Sequence, residues 1–373
     1  MKKLGFGLMR LPLLGGDEPD RIDIEQTKEM VDRFLDRGFT YFDTAWMYCK
    51  GKSEEATKES LVDRYPRESF KLATKLHAGY VNSLEDRDRI FEEQLRRTGA
   101  GYFDYYLIHA VSRELYEKYT KYDCFEWLKA KKAAGLVKRI GLSFHDSADF
   151  LDQILTEHPE VEFVQLQINY LDWDNEGIQS RLCYETAVRH GLPVIVMEPV
   201  KGGTLAKLPP RAERILKEIH PDWSIPSWAI RFAASLDNVF MVLSGMSNIP
   251  QMDDNTRYMN EFEKLTEEEL DAIRRVVDIL HASSAIACTG CSYCTDGCPM
   301  NIPIPSYFSL YNVDLQEAED KDWKPQEAYF TNLMLGEGKA TSCIECGQCE
   351  LVCPQHLPII KDLKKVVSYF ESM

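Results

Sequence analysis

The chain has 373 residues, with 44 Lys or Arg against 60 Asp or Glu, which gives a formal net charge of -16. This length allows one large domain plus a smaller one, and the acidic charge disfavours nucleic acid and anionic membranes as partners. No apolar run of about 18 residues occurs, and Met1-Lys2-Lys3 does not lead into a signal-type segment. We therefore expect a cytoplasmic enzyme that binds neither nucleic acid nor membrane.

Apolar runs of strand length alternate with segments of helical periodicity over about the first 280 residues. The predicted strands cover residues 4–9, 39–42, 70–74, 105–108, 137–143, 161–168, 193–199 and 239–244. Eight such alternations match a (β/α)8 TIM barrel in number and size. A doubly wound sheet is disfavoured, because Gly5-Phe6-Gly7 continues as Leu8-Met9-Arg10 and not as a Gly-rich dinucleotide fingerprint.

Four ionisable side chains stand at or just after the ends of three successive predicted strands. Asp43 ends the second strand and Tyr48 follows it, while Lys75 and His109 end the third and fourth. The carboxyl ends of barrel strands meet at one mouth, where the chemistry of such barrels takes place. Ion pairs that only stabilise the mouth are the alternative, and the added phenol favours catalysis.

These residues resemble the catalytic pattern of the aldo-keto reductase superfamily, over roughly residues 1 to 280. The matching segments are Phe42-Asp43-Thr44-Ala45-x-x-Tyr48, Gly51-x-Ser53-Glu54, Ala73-Thr74-Lys75 and Asp104-Tyr105-Tyr106-Leu107-Ile108-His109. The resemblance implies reduction of a carbonyl by a nicotinamide, with Tyr48 as the proton donor. It also implies that Lys75, held by Asp43, lowers the pKa of Tyr48, and that His109 orients the carbonyl.

The same resemblance places the nicotinamide, of NADP or NAD, against later strands. Ser143 and Gln165 match positions that hold its carboxamide, although Phe144 stands where relatives have Asn and Met197 replaces an aromatic ring. Residues after the eighth strand match the region that binds the 2'-phosphate of NADP; they are Gly245, Ser247, Gln251 and Asn255. Relatives carry Lys and Arg there, and Arg257 is the nearby substitute.

Two glycines follow Lys201 in the loop after the seventh predicted strand. Gly202-Gly203 suit close approach of a pyrophosphate, and a plain turn is the alternative.

Eight of the eleven cysteines form two copies of one spacing, C-x2-C-x2-C-x3-C-Pro, between residues 288 and 354. The runs are Cys288, Cys291, Cys294 and Cys298, and then Cys343, Cys346, Cys349 and Cys353. This spacing resembles that of bacterial ferredoxins with two [4Fe-4S] clusters, where the fourth cysteine of each run serves the other cluster. The resemblance implies one cluster on Cys288, Cys291, Cys294 and Cys353, and a second on Cys343, Cys346, Cys349 and Cys298. Structural zinc and purely structural clusters are the alternatives.

A change in composition near residue 282 predicts a domain boundary, with a barrel over 1–282 and a ferredoxin-type domain over 283–373. Helical patterns over 306–311 and 328–335 predict that the second domain is small and mainly α-helical. Asn301-Ile302-Pro303 after the first cysteine run and His356-Leu357-Pro358 after the second indicate an internal duplication.

Together the two parts resemble ferredoxin-fused aldo-keto reductases, which implies an oxidoreductase acting on a small carbonyl or alcohol. Hydride carries two electrons and a [4Fe-4S] cluster accepts one. A flavin, or another group that converts two-electron into one-electron transfer, is therefore a candidate for a further cofactor. A ferredoxin or another redox protein is the expected electron partner. The alternatives are a ferredoxin-linked enzyme whose barrel holds no nicotinamide, and an electron-transfer protein with a non-catalytic barrel.

Overall fold

The computed structural model describes residues 2–15, 21–282, 286–316, 329, 333 and 338–371. Eight parallel strands close into a barrel in chain order, which confirms the predicted fold class. The strands are β1 (Leu4–Gly7), β2 (Tyr41–Asp43), β3 (Lys71–His77), β4 (Phe103–Val111), β5 (Val137–Phe144), β6 (Phe163–Gln167), β7 (Val194–Met197) and β8 (Val239–Ser244).

Helices connect the strands and continue into the cysteine-rich segment. They are α1 (Ile24–Asp36), α2 (Tyr48–Gly51), α3 (Ser53–Thr57), α4 (Leu84–Thr98), α5 (Arg113–Lys121), α6 (Cys124–Ala133), α7 (Ala148–Glu157), α8 (Ser180–Arg189), α9 (Pro210–Ile219), α10 (Ile225–Ser235), α11 (Ile249–Asn260), α12 (Glu267–Ala282), α13 (Tyr293–Asp296), α14 (Ile304–Gln316), α15 (Gln348–Leu351) and α16 (Ile359–Glu371). Local chemistry sets their ends: Ser83 and Asp86 form a capping box at the start of α4, and Gly99 ends it at φ 65°.

Apolar side chains from alternating positions of the strands fill the barrel interior. This layer contains Tyr41, Ala73, Leu107, Phe163, Ile195, Met241 and Leu243. Gly141 makes room for Phe163, since a Cβ at residue 141 would lie 2.3 Å from that ring. Because side chains alternate along a strand, Lys75 and His77 lie on the same side of β3 as Ala73, nearer its carboxyl end.

Two strands extend further than their sequence pattern predicts. β3 continues to His77 and β4 to Val111, so Lys75 and His109 lie inside strands and not at their ends. The predictions stopped at the first ionisable side chain, but an inward-facing polar residue is accommodated when partners are available. The residues therefore still lie near the carboxyl end of the barrel.

The chain divides into two compact units. One comprises Met1–Pro199 and Ser227–Leu265 and contains all eight strands; the other comprises Val200–Pro226 and Thr266–Met373. The second unit therefore includes the loop after β7 with α9, and it includes α12. The sequence-based boundary near residue 282 stays a prediction.

Within the second unit, the cysteine-rich segment has a helical core. Its buried residues include Ile302, Ile304, Tyr307, Phe308, Ile359, Leu363, Val366 and Phe370, mostly from α14 and α16. The predicted helix over 306–311 lies inside α14. Of the predicted helix over 328–335 only Tyr329 and Leu333 are described, so that prediction falls outside the described residues. None of the helices in the described ranges has both the length and the apolar character required to cross a bilayer.

Candidate functional site

A buried ion pair lies near the carboxyl end of the barrel. Lys75 Nζ lies 2.5 Å from Asp43 Oδ1 and 2.8 Å from the carbonyl oxygen of Thr44, to which it donates. Lys75 is 0% and Asp43 2% exposed. Asp43 Oδ2 is also buried, and no group in the described part of the chain donates to it. With so little water in reach, each charge depends on the other.

Buried polar side chains hold the backbone of Lys75 in place. Gln94 of α4 donates to the carbonyl of Lys75 at 3.0 Å and to Glu54 Oε1 at 2.9 Å. Thr74 donates to the same carboxylate oxygen at 2.8 Å. Sequence reasoning missed Gln94. The only signal was a glutamine at helical spacing from Ile90, on the face of α4 that is buried.

Tyr48 lies above the ion pair. The centre of its ring is 4.8 Å from Lys75 Nζ. Tyr48 begins the short irregular turn α2, in which Cys49 and Lys50 have φ values of 52° and 50°. Side chains rarely adopt this left-handed conformation, and here the turn brings the phenol back over the strand ends.

His109 is directed into the site by an irregularity in β4. The pairing register between β4 and β5 shifts between Ile108 and Val111, and Ala110 has a φ of 51°. Such a bulge changes the direction in which a side chain points. The His109 ring lies 6.0 Å from that of Tyr48, edge to face, and 5.3 Å from that of His77, its register partner on β3.

Both histidines are neutral at physiological pH. Burial lowers the pKa of His109 well below its usual range, and His77 and Lys75 lower it further. Burial, together with the charge of Lys118, lowers the pKa of His77 to about 4. A neutral imidazole carries one N–H, so His109 can donate to a carbonyl oxygen without first gaining a proton.

The phenol of Tyr48 is held in its protonated form. Burial raises its pKa well above the usual range, and the charges of Asp43 and Glu198 raise it further. The sequence suggested the opposite direction, with Lys75 lowering this pKa. The difference arises because Asp43 neutralises Lys75 at 2.5 Å, and burial disfavours a phenolate. Burial likewise raises the pKa of Asp43 and lowers that of Lys75, each partly offset by the partner.

Two of the residues predicted to hold the nicotinamide are register partners on β5 and β6. Ser143 Oγ accepts from the backbone N–H of Ala110 at 2.7 Å, which leaves its hydroxyl proton for another acceptor. Gln165 Nε2 lies 3.4 Å from the sulfur of Met197, and Gln165 Oε1 is buried without a partner in the described ranges. The pair thus presents one donor and one acceptor, the requirement for binding a carboxamide.

The predicted phosphate-binding segment lies at the start of α11. Gln251 Oε1 accepts from the N–H of Ser247 at 2.7 Å, and Gly245 is exposed. Asn255 is occupied inside the protein, because it donates to Ser244 at 2.9 Å and accepts from Tyr258 at 2.8 Å.

Arg10 adjoins this segment and was missed by sequence reasoning. The hydroxyl of Ser247 donates to its carbonyl at 2.8 Å, and its side chain lies 3.4 Å from the position of a Cβ on Gly245. Arg257, the substitute suggested by the sequence, is instead paired with Asp254 at 2.7 Å. The sequence around Arg10 does not indicate a role in this segment. The loop after β1 lies beside the loop after β8 only because the barrel is closed, with β1 paired to β8.

A close backbone contact explains the glycine at residue 202. A Cβ on Gly202, whose φ is 64°, would lie 2.0 Å from the carbonyl oxygen of Thr289, within the second unit. Glycine is therefore required at residue 202 for close packing of two backbone segments. This contact accounts for the first glycine without a pyrophosphate.

The eight clustered cysteines line two separate cavities. The first includes Cys288, Cys291, Cys294 and Cys353. The second includes Cys298, Cys343, Cys346 and Cys349. Each cavity thus combines three cysteines of one run with the fourth of the other. The same crossed grouping was implied by the resemblance to ferredoxins.

The backbone repeats itself around the two cavities. Residues two and four positions after the first cysteine have positive φ in both runs: Gly290 and Ser292 at 65°, Glu345 at 56° and Gly347 at 76°. The third residue after each fourth cysteine does the same, at Asn301 and His356. Alternating handedness points successive N–H groups to one side, as in anion-binding nests and iron-sulfur sites. The duplication seen in the sequence is therefore also present in the backbone.

Comparison with known proteins agrees with both parts of the chain. The aldo/keto reductase family model matches residues 3–278, and a 4Fe-4S dicluster domain model matches residues 287–357. The uncharacterized oxidoreductase YqkF of Bacillus subtilis (strain 168) is 23% identical over 305 residues, which cover 74% of this chain and 92% of that protein.

Solved structures of aldo-keto reductases share the barrel fold. One, from Klebsiella pneumoniae in complex with NADPH, is 20% identical with a TM-score of 0.57, covering 74% of this chain and 90% of that one. The holo form of AKR11C1 from Bacillus halodurans is 24% identical with a TM-score of 0.57, and the match covers 74% of this chain and 91% of that one.

The ion pair can be tested without a substrate. We expect Lys75→Met or Asp43→Asn alone to lower the free energy of unfolding by about 3–5 kcal/mol, because each leaves a buried charge unpaired. The double variant should lose clearly less than the sum. Denaturant unfolding measures this, with the exposed Lys129–Glu126 pair, 2.7 Å apart, as control. Substitutions in this exposed pair should leave the free energy of unfolding nearly unchanged. Additive losses at Lys75 and Asp43 would contradict the pairing.

Proposed function

Because the chain belongs to the aldo/keto reductase family and carries a 4Fe-4S domain, we propose that this oxidoreductase interconverts a carbonyl and an alcohol. The barrel uses a nicotinamide cofactor, and the eight clustered cysteines hold two [4Fe-4S] clusters. One observation supports the proposal most strongly. A buried phenol, Tyr48, lies with its ring centre 4.8 Å from a lysine that is itself paired with a carboxylate.

The arrangement suits proton donation to an oxygen. When bound, the nicotinamide supplies the hydride that reduces the carbonyl carbon. The raised pKa of Tyr48 keeps its proton on the phenol until the substrate oxygen gains negative charge. His109, neutral because burial lowers its pKa, donates its N–H to the same oxygen and orients it. Lys75 and Asp43 together carry no net charge and lie below the phenol of Tyr48. After Tyr48 has given up its proton, the ammonium of Lys75 stabilises the resulting phenolate.

Ser143 and Gln165 are the residues we assign to the carboxamide. The buried and unpartnered Gln165 Oε1 accepts from the amide nitrogen, and the Ser143 hydroxyl donates to the amide oxygen. We assign the phosphate-binding role to the backbone of Gly245 and to the side chains of Gln251 and Arg10, because the N–H and the hydroxyl of Ser247 already donate within the protein. An arginine beside a helix N-terminus favours a 2'-phosphate, so we propose NADP over NAD.

Two observations support the assignment of two [4Fe-4S] clusters. Four cysteines line each cavity, and the residues of positive φ around it repeat the backbone pattern that is typical of iron-sulfur sites. A cluster passes one electron at a time, so its proposed partner is a one-electron carrier protein such as a ferredoxin.

A second candidate function is a ferredoxin-linked reaction in which the barrel holds a flavin or another cofactor. Phe144 favours this candidate, because it replaces the asparagine that relatives have beside the nicotinamide. Its buried ring instead packs on Phe150, with the ring centres 6.1 Å apart. Nucleotide titration separates the two candidates, since only the first requires affinity for NADH or NADPH.

Replacement of Tyr48 by Phe tests the proton donor. We expect the reduction rate for any accepted aldehyde or ketone to fall about a hundredfold to ten-thousandfold. Because the pKa of Tyr48 is raised, the wild-type reduction rate should stay constant as the pH is raised to about 10, the usual pKa of a tyrosine. Because the pKa of His109 is lowered, protonation of His109 should not reduce the rate between about pH 8 and pH 5, where an ordinary histidine gains its proton. Anaerobic oxidation of NADPH gives the rates.

Tyr41→Phe is the matched control, because this phenol is also buried and has no partner in the described residues. It should retain the wild-type rate. Unchanged turnover in Tyr48→Phe would remove the phenol from the mechanism and favour a non-catalytic barrel.

Arg10→Met tests the phosphate site. We expect the Kd for NADPH to rise about tenfold to a hundredfold, which is the loss of one charge-assisted contact, while the Kd for NADH changes little. Nucleotide fluorescence titration measures both. Arg257→Met is the control and should leave both constants unchanged. Equal weakening of NADH and NADPH would show that Arg10 does not contact the 2'-phosphate.

Paired cysteine variants test the crossed ligand sets. We expect Cys288→Ser and Cys353→Ser each to lose about half of the iron, and their combination to lose no more, because both remove the same cluster. Cys288→Ser combined with Cys298→Ser should lose nearly all of it, because these two cysteines of one run are assigned to different clusters. Iron analysis after anaerobic purification decides the result. The opposite pattern would indicate that each run binds its own cluster, and zinc in place of iron would end the proposal.

A further inference from the structure

A lysine lies close to the first cysteine cavity without contributing a ligand. Lys201, in the loop after β7, is 1% exposed, and its Nζ lies 3.4 Å from Gln355 Oε1. Gln355 is itself 7% exposed and lines the cavity of Cys288, Cys291, Cys294 and Cys353. Lys201 and Gln355 belong to the same compact unit. A cationic side chain is thus separated from this cavity by a single amide.

The backbone around Lys201 is fixed against the same cavity. Lys201 has a φ of 48°, and the next residue, Gly202, packs so closely on Thr289 that a Cβ would lie 2.0 Å from the carbonyl oxygen. Thr289 is 4% exposed and also lines the cavity, between Cys288 and Cys291. A left-handed conformation is unfavourable for a lysine, so the surrounding contacts must hold it. The loop is therefore held in one position, and the side chain with it.

We propose that Lys201 is a positioning residue that raises the reduction potential of the [4Fe-4S] cluster bound in the first cavity. The inference rests on the proposed cluster and goes beyond it, because it assigns unequal potentials to the two sites. Four thiolates give such a cluster a negative charge, and reduction adds one more electron. A buried cation stabilises the more negative state, and low polarity around it strengthens the effect.

The second cavity has no equivalent feature in the part of the chain that is described. Its cysteines include Cys346, which is exposed, and its lining includes Ile344 at 60% exposure. A charge near this cavity is screened by water, as for Lys364, which pairs with Glu345 at 2.8 Å and is 62% exposed. The cluster in the first cavity is therefore the one with the higher potential.

Redox titration followed by electron paramagnetic resonance on the full-length, cluster-loaded protein tests the proposal. We expect Lys201→Met to lower the potential of one cluster only, by at least a tenfold change in its one-electron equilibrium, about 59 mV. Lys201→Gln keeps a polar side chain without the charge and should lower it similarly. Lys201→Arg keeps the charge and should leave the potential near that of the wild type.

Lys361→Met is the matched control, since it removes an exposed lysine from the same unit and should shift neither cluster. Iron content and the cluster absorbance are measured first on each variant. Absence of clusters from the wild type would overturn the proposed function itself. Loaded clusters with an unchanged potential in Lys201→Gln, or an equal drop in Lys201→Arg, would overturn the role of Lys201 alone.

Discussion

The ion pair between Lys75 and Asp43 is the constraint on which the carboxyl end of the barrel depends. Both side chains are buried, and their charged atoms lie 2.5 Å apart. Such a pair depends on hydrogen bonds to its remaining donors and acceptors. The carbonyl of Thr44 accepts one from Lys75 and Gln94 holds the backbone of Lys75, while Asp43 Oδ2 has no donor in the described residues. The same pair influences the protonation state of Tyr48. Because the charge of Lys75 is balanced by Asp43, it cannot by itself convert a buried phenol into a phenolate.

Much of the barrel follows from sequence alone, because buried parallel strands leave continuous apolar runs that alternate with amphipathic helices. The polar residues near strand ends were found for the same reason: an ionisable side chain stands out against an apolar run. The predicted ends of β3 and β4 were wrong. The inward-facing Lys75 and His109 interrupt the apolar pattern, whereas the pairing of the two strands continues past Lys75 and includes His109.

Features that depend on distant parts of the chain could not be read from the sequence. Arg10 reaches Gly245 because the first and last strands are neighbours in a closed barrel. The direction of the pKa shift of Tyr48 depends on burial and on Asp43 together, not on the presence of a lysine. The contact that requires glycine at residue 202 is likewise with a distant residue, Thr289. The cysteine pattern was the most informative, because its resemblance to two-cluster ferredoxins implied the same two groups of four cysteines that line the two cavities.

The central claim is that Tyr48 protonates an oxygen whose carbon receives hydride from a nicotinamide. Transfer of deuterium tests it most directly. The protein, with its clusters intact, is incubated without oxygen with NADPH deuterated at C4 and a panel of aldehydes and ketones, and the alcohols are analysed by mass spectrometry. The account predicts one deuterium on the carbinol carbon of an accepted substrate. Alcohol formed without deuterium from either face of the labelled cofactor would contradict it.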